Sequence, residues 1–340
     1  MTNQKTKIKI GIDIGNSSVK MRWEDNQNQF PAQAGRWQGE TIIVSDNDAG
    51  RVRKCNTPTL IKSEYGHYWV GDKAHSYGEK IDTVSPNKLL GAPEVRAMLY
   101  RSFSLIGDHL QGVEIAVGLP ISLLSGEDGK ANRDAVKSWI LGQHSWKANN
   151  KPYTASVAKV LCPTQTYASA MSFYLDPEGR WIESRMPTHG DEIIAIAIGG
   201  GTVEVQAWQF DRHNLKLIPV PNMTTTIEKG LFTMLQRTQG SQTWSLAELD
   251  MRQREGLIQD DVAFRSWSSE IFNDLERLVG GRQRWGRYTH VIMSGGGYMC
   301  FKGDVKNEKA LSSRFNGRRV ELSDPVFAVA DGLLKIVMSV

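Results

Sequence analysis

Residues 194–208, IAIAIGGGTVEVQAW, constrain the fold more than any other stretch: an apolar run ends in three glycines and a threonine, and a second run alternates small or apolar with polar residues. The first run reads as a buried strand and the second as its return strand, so the glycines form the turn of a hairpin. Gly199, Gly200 and Gly201 can bring bare backbone within hydrogen-bonding distance of a phosphate, with Thr202 adding a hydroxyl, or they can be a bulge in the strand pair. The stretch is neither a Walker loop nor a dinucleotide GxGxxG turn, because no GK[ST] follows and strand rather than helix continues after it.

Two further turns share this character. KIKIGIDIGNSSVKMRW alternates around Ile8, Ile10, Ile12 and Ile14, turns at Gly15 and Asn16, and resumes at Val19 and Met21. Its tip offers successive backbone N–H groups, the hydroxyls of Ser17 and Ser18 and the charge of Lys20, and Asp13 points into the same cleft. A carboxylate beside phosphates calls for a cation between them, and magnesium is commonly held through its waters. VIMSGGGYMC gives a strand, then Gly295, Gly296 and Gly297, then a helix: a place where a flat ring or a ribose lies against bare backbone. Each turn alone is equally well read as ordinary chain reversal. Three in this order, about 185 and 95 residues apart, are far less so.

Residues 40–85 carry short β-like pieces, TIIVS, TPTLIKS and HYWVG, and Pro93–Leu110 is helical, with Val95, Met98, Leu99, Phe103 and Ile106 on one face. VEIAVGLPISLL is a buried strand stopped by Gly118 and Pro120, ANRDAVKSWILG a helix, ASVAKVLCP a strand and TQTYASAMSFYLD a helix. Beyond the second hairpin the reading gives helices near 224–238, 245–255 and 262–279, a strand at THVIMSGGG and a last helix at PVFAVADGLLKIVM. The stripe Leu333, Leu334, Ile336 and Val337 in that helix reads as packed core rather than a membrane-surface helix, and GGRQRWGRY at 280–288 as a solvated loop, or one that meets DNA, an acidic partner or a neighbouring subunit. At 340 residues the chain exceeds one ordinary core. Two α/β lobes with a boundary near Pro163 are the economical organisation, the last helix being free to return to the first lobe.

Composition excludes more than it selects. A net charge of +4 from 41 basic and 37 acidic residues is too mild to assign an anionic partner. Cys55, Cys162 and Cys300 are far apart and odd in number, with neither zinc spacing nor a disulfide framework, which fits a reducing cytoplasm. The seven histidines are scattered, the polar start MTNQKTK is no secretory signal, and no run approaches the roughly 18 apolar residues of a membrane span.

With these three turns the chain resembles the actin/Hsp70/sugar-kinase superfamily of ATP-binding folds. Within it the chain is most similar to the bacterial actin-like plasmid-segregation proteins of the ParM/StbA type, through VGLPIS at 117–122, VLCPTQTYASA and the closing DPVFAVADGLLKI. Hsp70 would need a substrate-binding domain for which there is no room, and sugar kinases are commonly longer. The resemblance implies an α/β actin-like fold of two RNase H-like domains around a nucleotide cleft: 1–163, with the C-terminal helix from about 325 to 340 returning to it, and 164–324. It implies ATP (or GTP) with Mg2+, Asp13 organising the metal through water, and Gln165 orienting the attacking water. Gly15, Asn16, Ser17, Ser18 and Lys20 would meet phosphates, Gly199, Gly200, Gly201 and Thr202 would close on the β- and γ-phosphates, Glu228 and Lys229 would contact the nucleotide, and Gly295, Gly296 and Gly297 would line the adenosine. It further implies a self-assembled filament, a DNA-binding adaptor and no direct sequence-specific nucleic-acid binding. The departure is Ala197, which stands where the second motif usually begins with Asp. Glu204, seven residues later on the return strand, does not obviously replace it, so hydrolysis is placed in doubt. A small-molecule kinase and a non-hydrolysing nucleotide-binding scaffold are the alternatives.

Overall fold

The computed structural model describes residues 7–39, 57–81, 85–238, 246–258, 260–302, 313–315 and 318–340; the TIIVS stretch and Cys55 lie outside them. The strands are β1 (Lys9–Ile14), β2 (Ser18–Trp23), β3 (Asn26–Pro31), β4 (Ala34–Arg36), β5 (Thr59–Ser63), β6 (Gly66–Val70), β7 (Glu79–Lys80), β8 (His109–Val117), β9 (Gly142–Ala148), β10 (Lys151–Leu161), β11 (Glu192–Ile198), β12 (Val203–Asp211), β13 (Lys216–Ile227), β14 (Tyr288–Ser294) and β15 (Arg319–Val320). The helices are α1 (Ala74–Tyr77), α2 (Pro93–Ile106), α3 (Ile121–Leu124), α4 (Gly129–Ile140), α5 (Gln165–Tyr174), α6 (Leu231–Leu235), α7 (Leu246–Arg254), α8 (Asp261–Val279), α9 (Gly296–Lys302) and α10 (Ala328–Met338).

Two sheets form, in the orders β3-β2-β1-β8-β10-β9-β5-β6-β4-β7 and β13-β12-β11-β14-β15. Each has the same centre: an antiparallel hairpin whose first strand lies parallel to a later one, β1 beside β8 and β11 beside β14. Both central strands are buried on two faces, which leaves β11 a continuous apolar run, whereas β1 alternates its isoleucines with Gly11 and Asp13. In β1, Ile10, Ile12 and Ile14 join Val95, Met98 and Phe103 of α2 in one core. In β11, Ile194, Ile196 and Ile198 join Trp267, Ile271 and Leu275 of α8. The opposite faces carry Gly11 and Asp13 in β1, and Ile193, Ala195 and Ala197 in β11.

Those inner faces meet two helices that lie between the sheets. Ala170, Met171 and Tyr174 of α5 pack on Ile193, Ala195, Trp208 and Phe210. Val329, Leu333 and Val337 of α10 pack on Ala116 of β8 and Ala168 of α5. The Leu333 stripe is core, as its spacing predicted. The approach is backbone to backbone: a β-carbon on Gly11 would run into the backbone of Ala330 and Leu334, and one on Gly332 into the carbonyl of Ala168. Ties at the ends hold the register, with Lys9 Nζ donating to Val337 O at 3.1 Å and Lys335 Nζ to Ser172 O at 2.7 Å.

Some expectations fail in instructive ways. The helix expected over 224–238 is a strand to Ile227 and a helix only over Leu231–Leu235; Thr224, Thr225, Thr226 and Ile227 are β-branched and prefer the pleated sheet. GGRQRWGRY is not simply solvated, since Trp285 is 1% exposed and Arg287 pairs with Glu192 at 2.6 Å.

The close approach sets a prediction. Gly332→Val should lower stability by about 3 kcal/mol through overpacking, whereas Gly286→Ala, where an added carbon meets nothing within 4 Å, should be near neutral. Urea midpoints of the two variants measure the difference, and equal midpoints would contradict the packing described.

Candidate functional site

Strands that run parallel bring their C-terminal ends to one edge, and a crevice opens where the two sheets present those ends to each other. A cavity of about 540 Å³ lies there. Its wall includes Asp13, Gly15, Asn16, Ser17, Ser18 and Lys20 from the first turn, Gly199, Gly200, Gly201 and Thr202 from the second, Gly295, Gly296 and Gly297 from the third, and Gln165 and Glu228. Three turns separated widely in sequence thus line one space. Lys229 is not in that wall: its ammonium donates to Asp274 at 2.8 Å and lies 3.8 Å from Glu270, which draws it onto α8.

The first turn is closed by Gly15 N donating to Ser18 O at 3.1 Å. Asp13 and Lys20 are direct cross-strand partners, both buried, with Lys20 Nζ 3.4 Å from Asp13 Oδ2. The other oxygen, Oδ1, accepts from Gln165 Nε2 at 2.7 Å. Gln165 is placed by the backbone: its N–H donates to Leu119 O at 3.0 Å, and Thr164 caps α5 by accepting from Tyr167 N. Gly118 faces the Gln165 side chain, a built β-carbon standing 3.2 Å from its Cγ. The segment VGLPISLL and the segment PTQTY therefore act together to set one amide against one carboxylate.

In the second turn Gly199 N donates to Thr202 O at 2.8 Å. The carbonyls of Gly199, Gly200 and Gly201 accept from Leu231 N (3.0 Å), Phe232 N (2.7 Å) and Gly230 N (2.9 Å), so the turn satisfies the donors that open α6. A trans peptide points its N–H opposite to its C=O. The N–H groups of Gly200, Gly201 and Thr202 consequently face away from α6, on the side where these residues line the cavity, a concave set of donors suited to an anion. The third turn is pressed onto the end of β11. Gly295 has φ +97°, a β-carbon there would strike Ile198 O, and one on Gly297 would come within 2.5 Å of Ile198 Cγ2.

The register of the second hairpin places Glu204 opposite Ala197. Ala197 and Glu204 are directly opposed across β11 and β12, so their side chains share the inner face. The acid that seemed misplaced by seven residues stands beside the position that lacks one. Glu204 is 1% exposed, and both of its carboxylate oxygens accept from Ile121 N at 3.1 Å. Burial pushes its carboxyl up to about 8; the Ile121 N–H works against that shift, and the charges of Asp13 and Glu228 add to it. The same cross-sheet row continues to Ser294 and Thr226, whose buried hydroxyl oxygens have no protein partner among the described residues.

Three cavity residues had no signal in the turn motifs. Lys88, buried in the short helical turn Pro86–Leu90, donates to Asn16 Oδ1 at 3.0 Å and to Gly15 O at 3.4 Å. Asp250 of α7 accepts from Ser17 Oγ at 2.7 Å, and Gln253 lies on the wall one turn further along the helix. A lysine in SPNKLLG and an aspartate in LAELDMRQR look like any other surface charge until the chain is folded.

Glu204 generates a pH prediction. A carboxyl whose folded pKa is about 8 and whose unfolded value is ordinary binds a proton more tightly when folded, so stability is full below the ordinary carboxylate range and falls as pH rises through about 8. Urea midpoints between pH 5 and pH 9 should decline in the parent and stay flatter in Glu204→Gln. Parallel curves would contradict a buried, protonated Glu204.

Comparison with known proteins agrees with this fold. Residues 11–166 match the family described as actin like proteins N terminal domain. No curated protein matches the chain. Among solved structures the chain is similar to apo pSK41 ParM, with 17% identity, TM-score 0.69 and coverage of 98% of this chain and 97% of that one. It is similar to ParM in a 15-stranded filament from Clostridium botulinum, with 18% identity, TM-score 0.70 and coverage of 97% and 99%. It is similar also to Ta0583, an archaeal actin homologue in complex with ADP, with 14% identity, TM-score 0.68 and coverage of 96% and 97%.

Proposed function

We propose, on the premise that residues 11–166 are an actin-like N-terminal domain and the whole chain has the actin-like fold, that this protein binds ATP, or GTP, with magnesium and assembles with copies of itself into a filament. The observation that carries the reading is the meeting of three glycine turns around one cavity with Asp13 and Gln165 between them. An archaeal actin homologue of the same fold holds ADP, and a ParM of the same fold forms a 15-stranded filament, which supports both halves of it. In this reading residues 1–163 and 164–324 are the two lobes, and the C-terminal helix belongs with the first.

The residues present fit a triphosphate. The N–H groups turned away from α6 and the hydroxyls of Thr202, Ser17 and Ser18 are anion donors, Lys20 and Lys88 are cations, and the bare turn at Gly295, Gly296 and Gly297 suits adenosine, with Glu228 on the wall. Asp13 is the metal organiser, through water; bound with the triphosphate, magnesium would neutralise phosphate charge. Gln165, hydrogen-bonded to Asp13, orients a water but is a poor proton acceptor, so the chemistry suits slow ATP hydrolysis by positioning. Nucleotide acts by favouring a closed form that the filament selects. The work of such a filament is plasmid or DNA segregation through a DNA-binding adaptor in the cytoplasm, or a derived cytoskeletal role.

Ala197 favours a second reading, a nucleotide-binding scaffold that has lost hydrolysis. The two readings part on one substitution. A carboxylate at 197 would face Glu204, which is protonated near neutrality and so adds no like charge. Ala197→Asp should raise phosphate release severalfold and shorten filament lifetime if the missing acid limits hydrolysis. Electron microscopy with and without ATP and magnesium tests assembly; absence of filaments, together with turnover of a phosphorylated metabolite, would replace the proposal by a small-molecule kinase. Equal phosphate release by parent and Ala197→Asp would show that Ala197 is no defect.

A further inference from the structure

The tip of the first turn is held from two directions by groups of opposite sign. Lys88, from the first-sheet side, donates to Asn16 Oδ1 and Gly15 O. Asp250, from α7 on the second-sheet side, accepts the Ser17 hydroxyl at 2.7 Å and is 6% exposed. The two turns also touch here, since a β-carbon built on Gly200 would lie 3.1 Å from Ser17 Cβ. The Asp250 carboxylate therefore occupies the anion's place on a hydroxyl donor at the meeting point of both turns.

We propose that Asp250 is an anionic gate, a specificity-determining residue that a nucleotide's terminal phosphate must displace from Ser17. This rests on the reading of the cavity as a nucleotide site and adds to it which nucleotide the site resists. One hydroxyl hydrogen cannot serve a carboxylate and a phosphate at once, and two anions drawn toward one partly buried donor repel each other. The penalty grows with the number of phosphates that reach the tip and vanishes for a ligand with none. Lys88 lies beside the same tip with the sign that favours the phosphate. A triphosphate therefore exchanges a bond that ties α7 to the first turn for one that ties the first turn to the ligand.

The test is calorimetric titration of adenosine, ADP with magnesium and ATP with magnesium into the full chain and three variants. Asp250→Asn keeps the size and an acceptor oxygen for Ser17 but removes the charge, Asp250→Ser is a second neutral replacement, and Asp250→Glu keeps the charge. Each neutral variant should bind ATP about tenfold more tightly than the parent and ADP about threefold, with adenosine unchanged, as expected for loss of one like charge in a partly screened site. Asp250→Glu should keep the parent's ATP to ADP ratio. Weaker ATP binding in the neutral variants would make Asp250 a ligand of the bound magnesium and overturn the gate, as would equal changes for all three ligands or none. A parent that binds ADP and ATP with an unaltered ratio in every variant refutes the gate alone; a parent that binds none of the three ligands refutes the nucleotide reading, and the gate with it.

Discussion

The arrangement of the two sheets hangs on two helices that approach backbone to backbone at Gly332. Gly332 of α10 lies against the carbonyl of Ala168 in α5, and Gly11 of β1 lies against the other side of α10. Backbone contact of this kind fixes distance more tightly than interdigitated side chains, because there are no rotamers to adjust. The first sheet, α10, α5 and the second sheet thus form a stack whose spacing glycine sets. That spacing decides whether Gln165, the first residue of α5, reaches the carboxylate of Asp13 on β1. The site is accordingly a consequence of the stack, and the inner faces of both sheets keep small residues, Gly11, Ala116 and Ala195, where the helices come close.

Legibility in the sequence followed what each feature demands of the chain. The three turns were readable because close approach of backbone is written as glycine. The central strands were readable from two different patterns: an unbroken apolar run in β11, and in β1 isoleucines alternating with Gly11 and Asp13. What the spacing alone did not show for Glu204 is its register: with the turn at 199–202, residues 197 and 204 oppose each other across the hairpin although seven positions apart in sequence. The helix expected over 224–238 overlaps only the last four residues of β13, where three threonines and an isoleucine favour the sheet. Lys88 and Asp250 could not be read at all, since nothing local distinguishes a charge that will be buried at a cleft from one that stays in water.

Glu204 also shows how a missing charge is handled. In a row that holds Ser294, Ala197, Glu204 and Thr226, the only acid is buried and held near the neutral form. That row is then electrically quiet at neutral pH, and its Ala197 and Glu204 line the same cavity as Asp13 of the first sheet. Carboxylates reach the cavity from both sides, Asp13 from β1 and Asp250 from α7 with Glu228 beside β13, but the row at the centre of the second sheet adds none of its own.

The second turn carries one more implication. The three peptides that aim their N–H groups into the cavity are the same three whose carbonyls open α6. Rotating any one of them would remove an anion donor and uncap a helix in a single movement, so the anion cradle is rigid by construction and draws its rigidity from the core behind it. Selection acting on stability alone would therefore preserve the cradle's shape, whether or not the chain still performs chemistry there.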